Sequence, residues 1–135
     1  MTPKDKELLL QDLCSRLPYG VMVLVDIDKE FDGGYVSKLT TITEIKGEKM
    51  FLTKNSLTPV TIEEIRPYLR PMSSMTEEEE IIYEQLIKDV HYKPRPSTCC
   101  KLISWLKENY FDYNYLIDKG LAIEAPKGMY DIKEK

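Results

Sequence analysis

Residues 21–53 contain three segments rich in Val, Ile, Thr and aromatic side chains, separated by two turn signals. The first segment reads VMVLVDI, and the turns read DGG at 32–34 and KGE at 46–48. β-Branched residues favour extended structure, and glycine favours the reversals between strands. The pattern predicts an antiparallel meander of at least three strands. Because valines alternate with Met22 and Leu24, we expect the first half of this strand to be covered on both faces.

A helix is predicted before this meander. Thr2 suits the N-cap and Pro3 the first helical position, since proline lacks the N–H that would stay unpaired there. Pro18 and Gly20 end the segment. The apolar residues that recur at helical spacing, and so predict one buried face, are Leu9, Leu10, Leu13 and Leu17.

Two more helices are predicted after the meander. Thr76 with Glu79 forms a capping box, in which each side chain satisfies the other residue's backbone amide. The stripe that follows comprises Tyr83, Leu86, Ile87 and Val90, with Ile82 beside it. After a proline-stiffened connection at 91–96, Ser97 is expected to cap the next helix. Its predicted buried face comprises Cys99, Leu102, Ile103, Leu106 and Tyr110, with Trp105 at the edge.

The C-terminal residues predict shorter elements. Asp112 is expected to cap a short helix from Tyr113 to Lys119, and Gly120 suits the left-handed residue that ends a helix. Residues 121–123 read LAI and favour a short strand.

The order of these elements indicates the α+β class. We predict a single domain over 1–135, with a helix and a β-rich segment in 1–72 and a helical segment in 73–135. Since a small meander is marginal alone, the C-terminal helices are expected to pack on it as one cooperative unit. A partly open small barrel with a helical appendage is the alternative.

The stretch RPYLRPM at 66–72 resembles a binding motif, yet it is interpreted as the joint between sheet and helices. Residues 61–64 read TIEE and predict a short capped turn that Pro67 ends. Tyr68 and Leu69 then anchor an extended segment. Arg66 and Arg70 are left without a role, and either could pair with a nearby glutamate or with a partner.

No catalytic motif is visible, so we predict that the protein is not an enzyme and has no cofactor. His91 lacks a recognisable nucleophile to serve, and the pair Asp26 and Asp28 lacks a partner acid or base. Residues 28–33 begin like a calcium loop, but position twelve is Leu39 instead of the bidentate Glu. Three cysteines, two of them adjacent, are expected to be small buried hydrophobes in a reducing compartment rather than a disulfide framework or metal site.

The charge is unevenly distributed along the chain. A formal net charge of −4 disfavours a general nucleic-acid binder, because phosphate contacts require a basic surface. Residues 77–84 nevertheless hold five glutamates, whereas 91–107 hold four bases and no acid. Helix electrostatics explains this asymmetry, and a small patch for an anionic partner is the alternative.

Aromatic residues crowd the segment 105–115, and consecutive positions cannot all face a core. Aromatics left at a surface commonly anchor protein interfaces, and base stacking is their other use. The candidate interaction residues are Tyr92, Lys93, Arg95, Trp105, Tyr110, Phe111, Tyr113, Tyr115, Arg66 and Arg70.

Two stretches carry a resemblance to a known family: RPYLRPMSSMTEEE at 66–79 and WLKENYFDYNYLIDKGLAIEAPKGMY at 105–130. Both resemble recurring segments of small proteins of gut Bacteroidetes genomes, for which phage, prophage or mobile-element neighbourhoods are the expected setting. The similarity spans about residues 60–130 and matches the β region only loosely. That family has no known activity, so the resemblance implies an origin and no catalytic residue.

The sequence thus predicts a non-enzymatic accessory module that binds another protein or a second copy of itself. A nucleic-acid-binding accessory protein, using the basic stretch 91–107 and its aromatics, is the alternative. The N-terminus is charged, and the longest apolar run, Val21 to Val25, is far shorter than a membrane span. We therefore expect a cytoplasmic protein with no membrane partner.

Overall fold

The structure is a computed structural model that describes residues 2–26, 35–45, 48–53 and 60–130. It has the predicted α+β architecture, with an N-terminal helix, a sheet and two C-terminal helices. The helices are α1 (Pro3–Arg16), α2 (Glu77–Tyr92) and α3 (Pro96–Glu108). The strands are β1 (Met22–Val25), β2 (Tyr35–Ile45), β3 (Glu48–Thr53), β4 (Val60–Thr61), β5 (Ile65–Leu69) and β6 (Ile123–Glu124).

The strands form one six-stranded sheet in the order β4-β3-β2-β1-β5-β6. The predicted meander is confirmed, because β1, β2, β3 and β4 pair in sequence and antiparallel. β5 then pairs antiparallel with β1, and β6 pairs parallel with β5. Since the edge strands β4 and β6 do not pair with each other, the described sheet is open, and the barrel alternative is not formed.

β5 partly corrects the interpretation of RPYLRPM as a joint: the extended segment at Tyr68 and Leu69 is confirmed as part of a sheet strand, and only 70–76 join the sheet to α2. The capped turn is present, since the Thr61 amide donates to Glu64 Oε1 at 2.9 Å, but it ends at Glu64 and not at Pro67. Pro67 lies within a strand paired to β1 on one side and to β6 on the other. The Asp26 amide donates to the Glu64 carbonyl at 2.8 Å, so bonded pairs fall on even residues of β5. Pro67 has an odd number and lies between the bonded pairs, so its missing N–H removes no hydrogen bond from the ladder between β5 and β1.

α1 supplies the cover for one face of the sheet. Leu9 and Leu13 of α1 are buried, as are Val23 and Val25 of β1. Met22 and Leu24, on the opposite face of β1, are only half-buried, so the expected cover on both faces is incomplete. The rest of the buried hydrophobic cluster comprises Val21, Leu39, Phe51, Val60, Ile65, Leu69, Leu116, Leu121 and Ala122.

A buried ion pair joins α1 to the C-terminal part of the chain. The Arg16 guanidinium donates from Nε to Asp12 Oδ2 at 2.8 Å, and both side chains are fully buried. Its Nη2 donates to the Phe111 carbonyl at 2.7 Å, and Asn114 Nδ2 donates to Asp12 Oδ1 at 3.0 Å. The guanidinium also lies over the Tyr113 ring, 5.0 Å from its centroid. A pair one helical turn apart thereby becomes a contact between distant segments.

Tyr130 closes a gap between β1 and β5. Its hydroxyl accepts the Met22 amide at 2.8 Å and donates to the Tyr68 carbonyl at 2.7 Å. In the β1–β5 register, Met22 and Tyr68 would form the next directly bonded pair. The hydroxyl therefore stands in for one rung of the ladder, and burial raises the pKa of Tyr130. The ring stacks on Tyr110 at 3.7 Å between centroids.

The segment after α3 is built of turns instead of the predicted helix over Tyr113 to Lys119. The Asp112 carboxylate does cap it, accepting the Leu116 and Ile117 amides at 2.8 and 2.9 Å. Helix formation is interrupted because Tyr115 has a φ of 57°, in the left-handed region. Gly120 has the expected positive φ of 75°, and a short strand forms as β6, which begins two residues later than the predicted 121–123.

The Tyr130 bridge gives the first prediction. Tyr130→Phe keeps the ring and its stacking but removes the hydroxyl, which leaves the Met22 amide and Tyr68 carbonyl without their partner. We expect the free energy of unfolding, measured in urea, to fall by about 1–3 kcal/mol. Tyr115→Phe, at a ring that is 62% exposed, is the matched control and should change it by less than about 0.5 kcal/mol. Equal stabilities of the two variants would contradict the bridging role.

The buried ion pair gives the second prediction. Asp12→Asn preserves the shape of the side chain but leaves the Arg16 guanidinium buried without a counter-charge. We expect the free energy of unfolding to fall by about 3–5 kcal/mol. Glu7→Gln makes the same chemical change at an exposed site of α1 and should alter stability by less than about 0.5 kcal/mol. A loss below about 1 kcal/mol for Asp12→Asn would show that the pair does not join the two segments.

Candidate interaction surface

α2 and α3 form a helical hairpin joined by residues 93–95. Their contact runs along a half-buried stripe of α2 that includes Tyr83, Leu86 and Val90, as the sequence predicts, but Ile87, predicted in the same stripe, is 41% exposed. Tyr83 stacks on Trp105 at 6.3 Å between ring centroids. No residue of α2 is fully buried, and Leu106 is the one buried residue of α3. The two helices therefore pack mainly on each other and leave much of their surface to solvent.

The helix caps explain where the hairpin begins and turns. The predicted capping box of α2 is confirmed, because the Glu79 amide donates to Thr76 Oγ1 at 3.2 Å and the Thr76 amide to Glu79 Oε1 at 3.0 Å. α3 starts before the predicted cap, Ser97. Arg95 is the N-cap residue, its amide donates to the Thr98 hydroxyl at 3.1 Å, and Pro96 takes the first helical position.

Arg70 holds the base of the hairpin to the sheet. Its guanidinium forms a bidentate pair with Glu79, with N–O distances of 2.6 and 2.8 Å, and lies 4.3 Å from the centroid of the Phe111 ring. Its backbone is held too, because the Arg70 amide donates to the Tyr110 carbonyl at 2.7 Å. The hydrogen bond from Arg70 lowers the pKa of Glu79. The structure thus gives Arg70 a partner within the chain.

The predicted aromatics divide into inward and exposed members. Phe111 is fully buried and lies 5.6 Å from Trp105, while Tyr110 stacks on Tyr130 and donates to the Tyr19 carbonyl. Tyr113 is half-buried beside Arg16, and burial raises the pKa of both Tyr110 and Tyr113. The exposed members of the predicted set are Tyr92, at 76%, and Tyr115, at 62%.

The predicted basic residues do not all share one place in the fold. Lys93 and Arg95 are exposed at the tip of the hairpin, next to Tyr92. Lys101 is exposed on α3, whereas Lys107 is half-buried. Arg66 is exposed on β5, within the sheet. The structure therefore brings the 92–95 residues together and leaves Arg66 on another element.

The expected burial of the cysteines is wrong. Cys14, Cys99 and Cys100 are all exposed free thiols. Cys99 lies on the same helical face as Leu106, as predicted, but it belongs to the first turns of α3. That end of the helix extends beyond the core and is exposed, apart from the half-buried Thr98.

A shallow apolar groove of about 600 Å³ runs between α2 and α3. Ile82, Leu86 and Trp105 contribute its apolar lining, and Lys101, Ser104 and Glu108 of α3 are among its polar residues. Ile82 is 45% exposed there, and elsewhere on α2 Ile81 and Ile87 are 68% and 41% exposed. The sequence analysis noted Ile82 beside the buried stripe but missed the groove. The sequence did contain a signal of exposed apolar surface on α2, because residues 81–87 include three isoleucines and a single buried stripe cannot contain all three.

The described residues contain no group of three or more His, Cys, Asp or Glu side chains arranged to hold a metal ion. The calcium-like loop at 28–33 and Asp28, the second member of the carboxylate pair, lie outside the residues that the structure describes. No described helix combines the length and apolarity needed to cross a membrane.

Comparison with protein-family models, with curated proteins and with solved structures finds no match for this chain.

The pairing of Arg70 with Glu79 gives a pH-dependent prediction. Glu79 has a lowered pKa in the folded protein, so its contribution to stability is present above the ordinary carboxyl pKa of about 4.3 and is lost as pH falls through the lowered value. Glu79→Gln should therefore reduce the free energy of unfolding by about 1–2 kcal/mol at pH 7, and the difference from the parent protein should shrink below pH 4. Urea titrations at several pH values measure this.

Glu80→Gln is the matched control, because Glu80 is a neighbouring acid in the same helical turn with an exposed side chain. It should change stability by less than about 0.5 kcal/mol at either pH. The same loss for both variants at pH 7 would mean that helix-dipole electrostatics, and not the Arg70 pair, stabilises the base of the hairpin.

Proposed function

We propose that the protein is a non-enzymatic interaction module whose binding surface is the α2–α3 hairpin and, in particular, the groove lined by Ile82, Leu86 and Trp105. The observation that carries this proposal is the 45% exposure of Ile82 beside Leu86 and Trp105 in the groove, on a helix with no fully buried residue. When a partner covers apolar side chains that were left in water, the free energy falls by about 25 cal/mol for each Å² of apolar surface removed.

The geometry suits recognition of another helix. A groove between two packed helices offers an apolar floor with polar residues on its margins, and an amphipathic helix can place one apolar face in it. Lys101 and Glu108 on the margin can fix the orientation of such a partner through charge. Burial of Ile82 and Trp105 under a partner would provide the anchors of the interface.

Nucleic-acid binding, the alternative function, has less support from the geometry. Lys93, Arg95 and Lys101 are exposed and can meet phosphates. However, Trp105, Tyr110 and Phe111 already contact other rings within the chain. Without those platforms, base stacking would depend on the separate side chains Tyr92 and Tyr115.

Two further expectations belong to the same proposal. A cytoplasmic setting is supported by the three free, exposed thiols, which stay reduced in such a compartment. An origin among the small proteins of gut Bacteroidetes, with phage or mobile-element neighbours, rests on the two resembling stretches at 66–79 and 105–130 alone.

Site-specific photo-crosslinking tests the proposal. A photoreactive phenylalanine analogue replaces Ile82 in the groove, and in a control chain it replaces Gln11, an exposed residue of α1. After irradiation of the organism's own cells, we expect protein adducts from position 82 at a yield several-fold above position 11. Adducts that disappear after nuclease treatment would instead support nucleic-acid binding, and equal yields at both positions would overturn the proposed surface.

A further inference from the structure

The α3 side of the groove has a pattern that is complementary to itself. Ser97, Lys101, Ser104 and Glu108 recur at spacings of four, three and four residues, so they lie in one row along the helix. Ser104 is a small residue between a base one turn before it and an acid one turn after it. Small residues at a contact allow two helices to approach closely.

From this row we infer that the occupant of the groove is a second copy of this chain, packed antiparallel about a two-fold axis beside Ser104. The inference rests on the proposed function and names its partner. Two-fold symmetry makes the same patch serve both subunits, so each contact occurs twice. A rotation about the midpoint of Lys101 and Glu108 places Lys101 of each copy opposite Glu108 of the other.

The charges of this row are available for such contacts. Lys101 and Glu108 are seven residues apart, about 10 Å along the helix, which is too far for an ion pair within one chain. Both side chains are exposed, and neither has an ion pair among the residues that the structure describes. An antiparallel second copy supplies the missing opposite charge to both residues at once.

The longer-range charge pattern favours the same orientation. The first turn of α2, at the base of the hairpin, contains Glu77, Glu78, Glu79 and Glu80. The tip contains the exposed bases Lys93 and Arg95. Antiparallel hairpins bring the acidic base of one copy toward the basic tip of the other, whereas parallel hairpins would bring like charges together.

The size of the surface indicates a weak dimer. α2 and α3 contain 16 and 13 residues, so they are about 24 and 20 Å long, and two helices side by side are about 20 Å wide. The face is therefore on the order of 400 Å² per copy, about half that of a standard interface. Ile82, Leu86 and Trp105 supply the apolar part, and we expect a dissociation constant on the order of micromolar.

Charge reversal tests the pairing. Sedimentation equilibrium of the full chain should show a monomer–dimer equilibrium, which Lys101→Glu and Glu108→Lys should each weaken by about tenfold because either change creates two like-charge contacts. The double variant K101E/E108K restores opposite charges and should return to within about threefold of the parent. Glu7→Lys, a reversal at an exposed site of α1, is the control and should leave the dimer unchanged.

A cysteine at the axis tests the geometry independently. In a C99S/C100S background, Ser104→Cys should form a disulfide-linked dimer on mild oxidation, because a residue beside a two-fold axis lies opposite its own copy. The background chain keeps Cys14, an exposed thiol on α1, and should remain monomeric under the same conditions. Equal cross-linking of both chains would contradict the axis position.

The two proposals fail in different ways. A chain that stays monomeric at millimolar concentration overturns the self-association inference, and so does a dimer that both single reversals and the double variant leave unchanged. If position 82 then yields adducts with a different protein, the groove is still a protein-binding surface and the proposed function stands. If neither a dimer nor an adduct forms, both proposals are wrong.

Discussion

The buried Asp12–Arg16 pair is the contact that holds α1 to the segment after α3, and the arrangement of these two parts of the chain depends on it. Removal of two charges from water is costly, and the cost is offset because the guanidinium also binds the Phe111 carbonyl and the carboxylate also accepts from Asn114. Arg16 Nη1 is buried and has no hydrogen-bond partner among the residues that the structure describes, so the compensation within them is incomplete. A charge held in this way tolerates few alternative positions, and α1 and the segment after α3 are therefore fixed together.

Phe111 connects this pair to the rest of the fold. Its carbonyl faces Arg16, its ring lies beneath Arg70 and near Trp105, and its neighbour Tyr110 stacks on Tyr130. The sheet, the end of α3 and the C-terminal residues consequently meet around one short segment. The hairpin extends from this meeting point, anchored at its base by the Arg70–Glu79 pair. Such anchoring holds a partly exposed pair of helices in place without burial of their outer faces, and those faces remain available to a partner.

The candidate surface was only partly accessible from the sequence. The cap of α2 follows from local spacing, and Lys93 and Arg95 were correctly placed at a connection, whereas Tyr92 is the last residue of α2 and α3 begins before its predicted cap, Ser97. Burial was predicted less well than secondary structure, because a periodic apolar face indicates that the face is covered but does not indicate which part of the chain covers it. Cys99 shares a face with Leu106, yet the core reaches only the later turns of α3. Phe111 was counted as a candidate for an interface, but it is fully buried and contacts Trp105 and Arg70 within the chain.

The sequence by itself determined the α+β class, the meander, the three long helices and the capping boxes that begin at Thr61 and Thr76, because each depends on residues within a few positions of one another. Tertiary structure alone decided that RPYL at 66–69 belongs to an interior strand, since strand pairing joins residues far apart in the chain. It also decided that Asp12 and Arg16 are buried and that Tyr130 completes the ladder between β1 and β5. These roles depend on which distant segments meet, and that follows from the packing of the whole chain rather than from any local pattern.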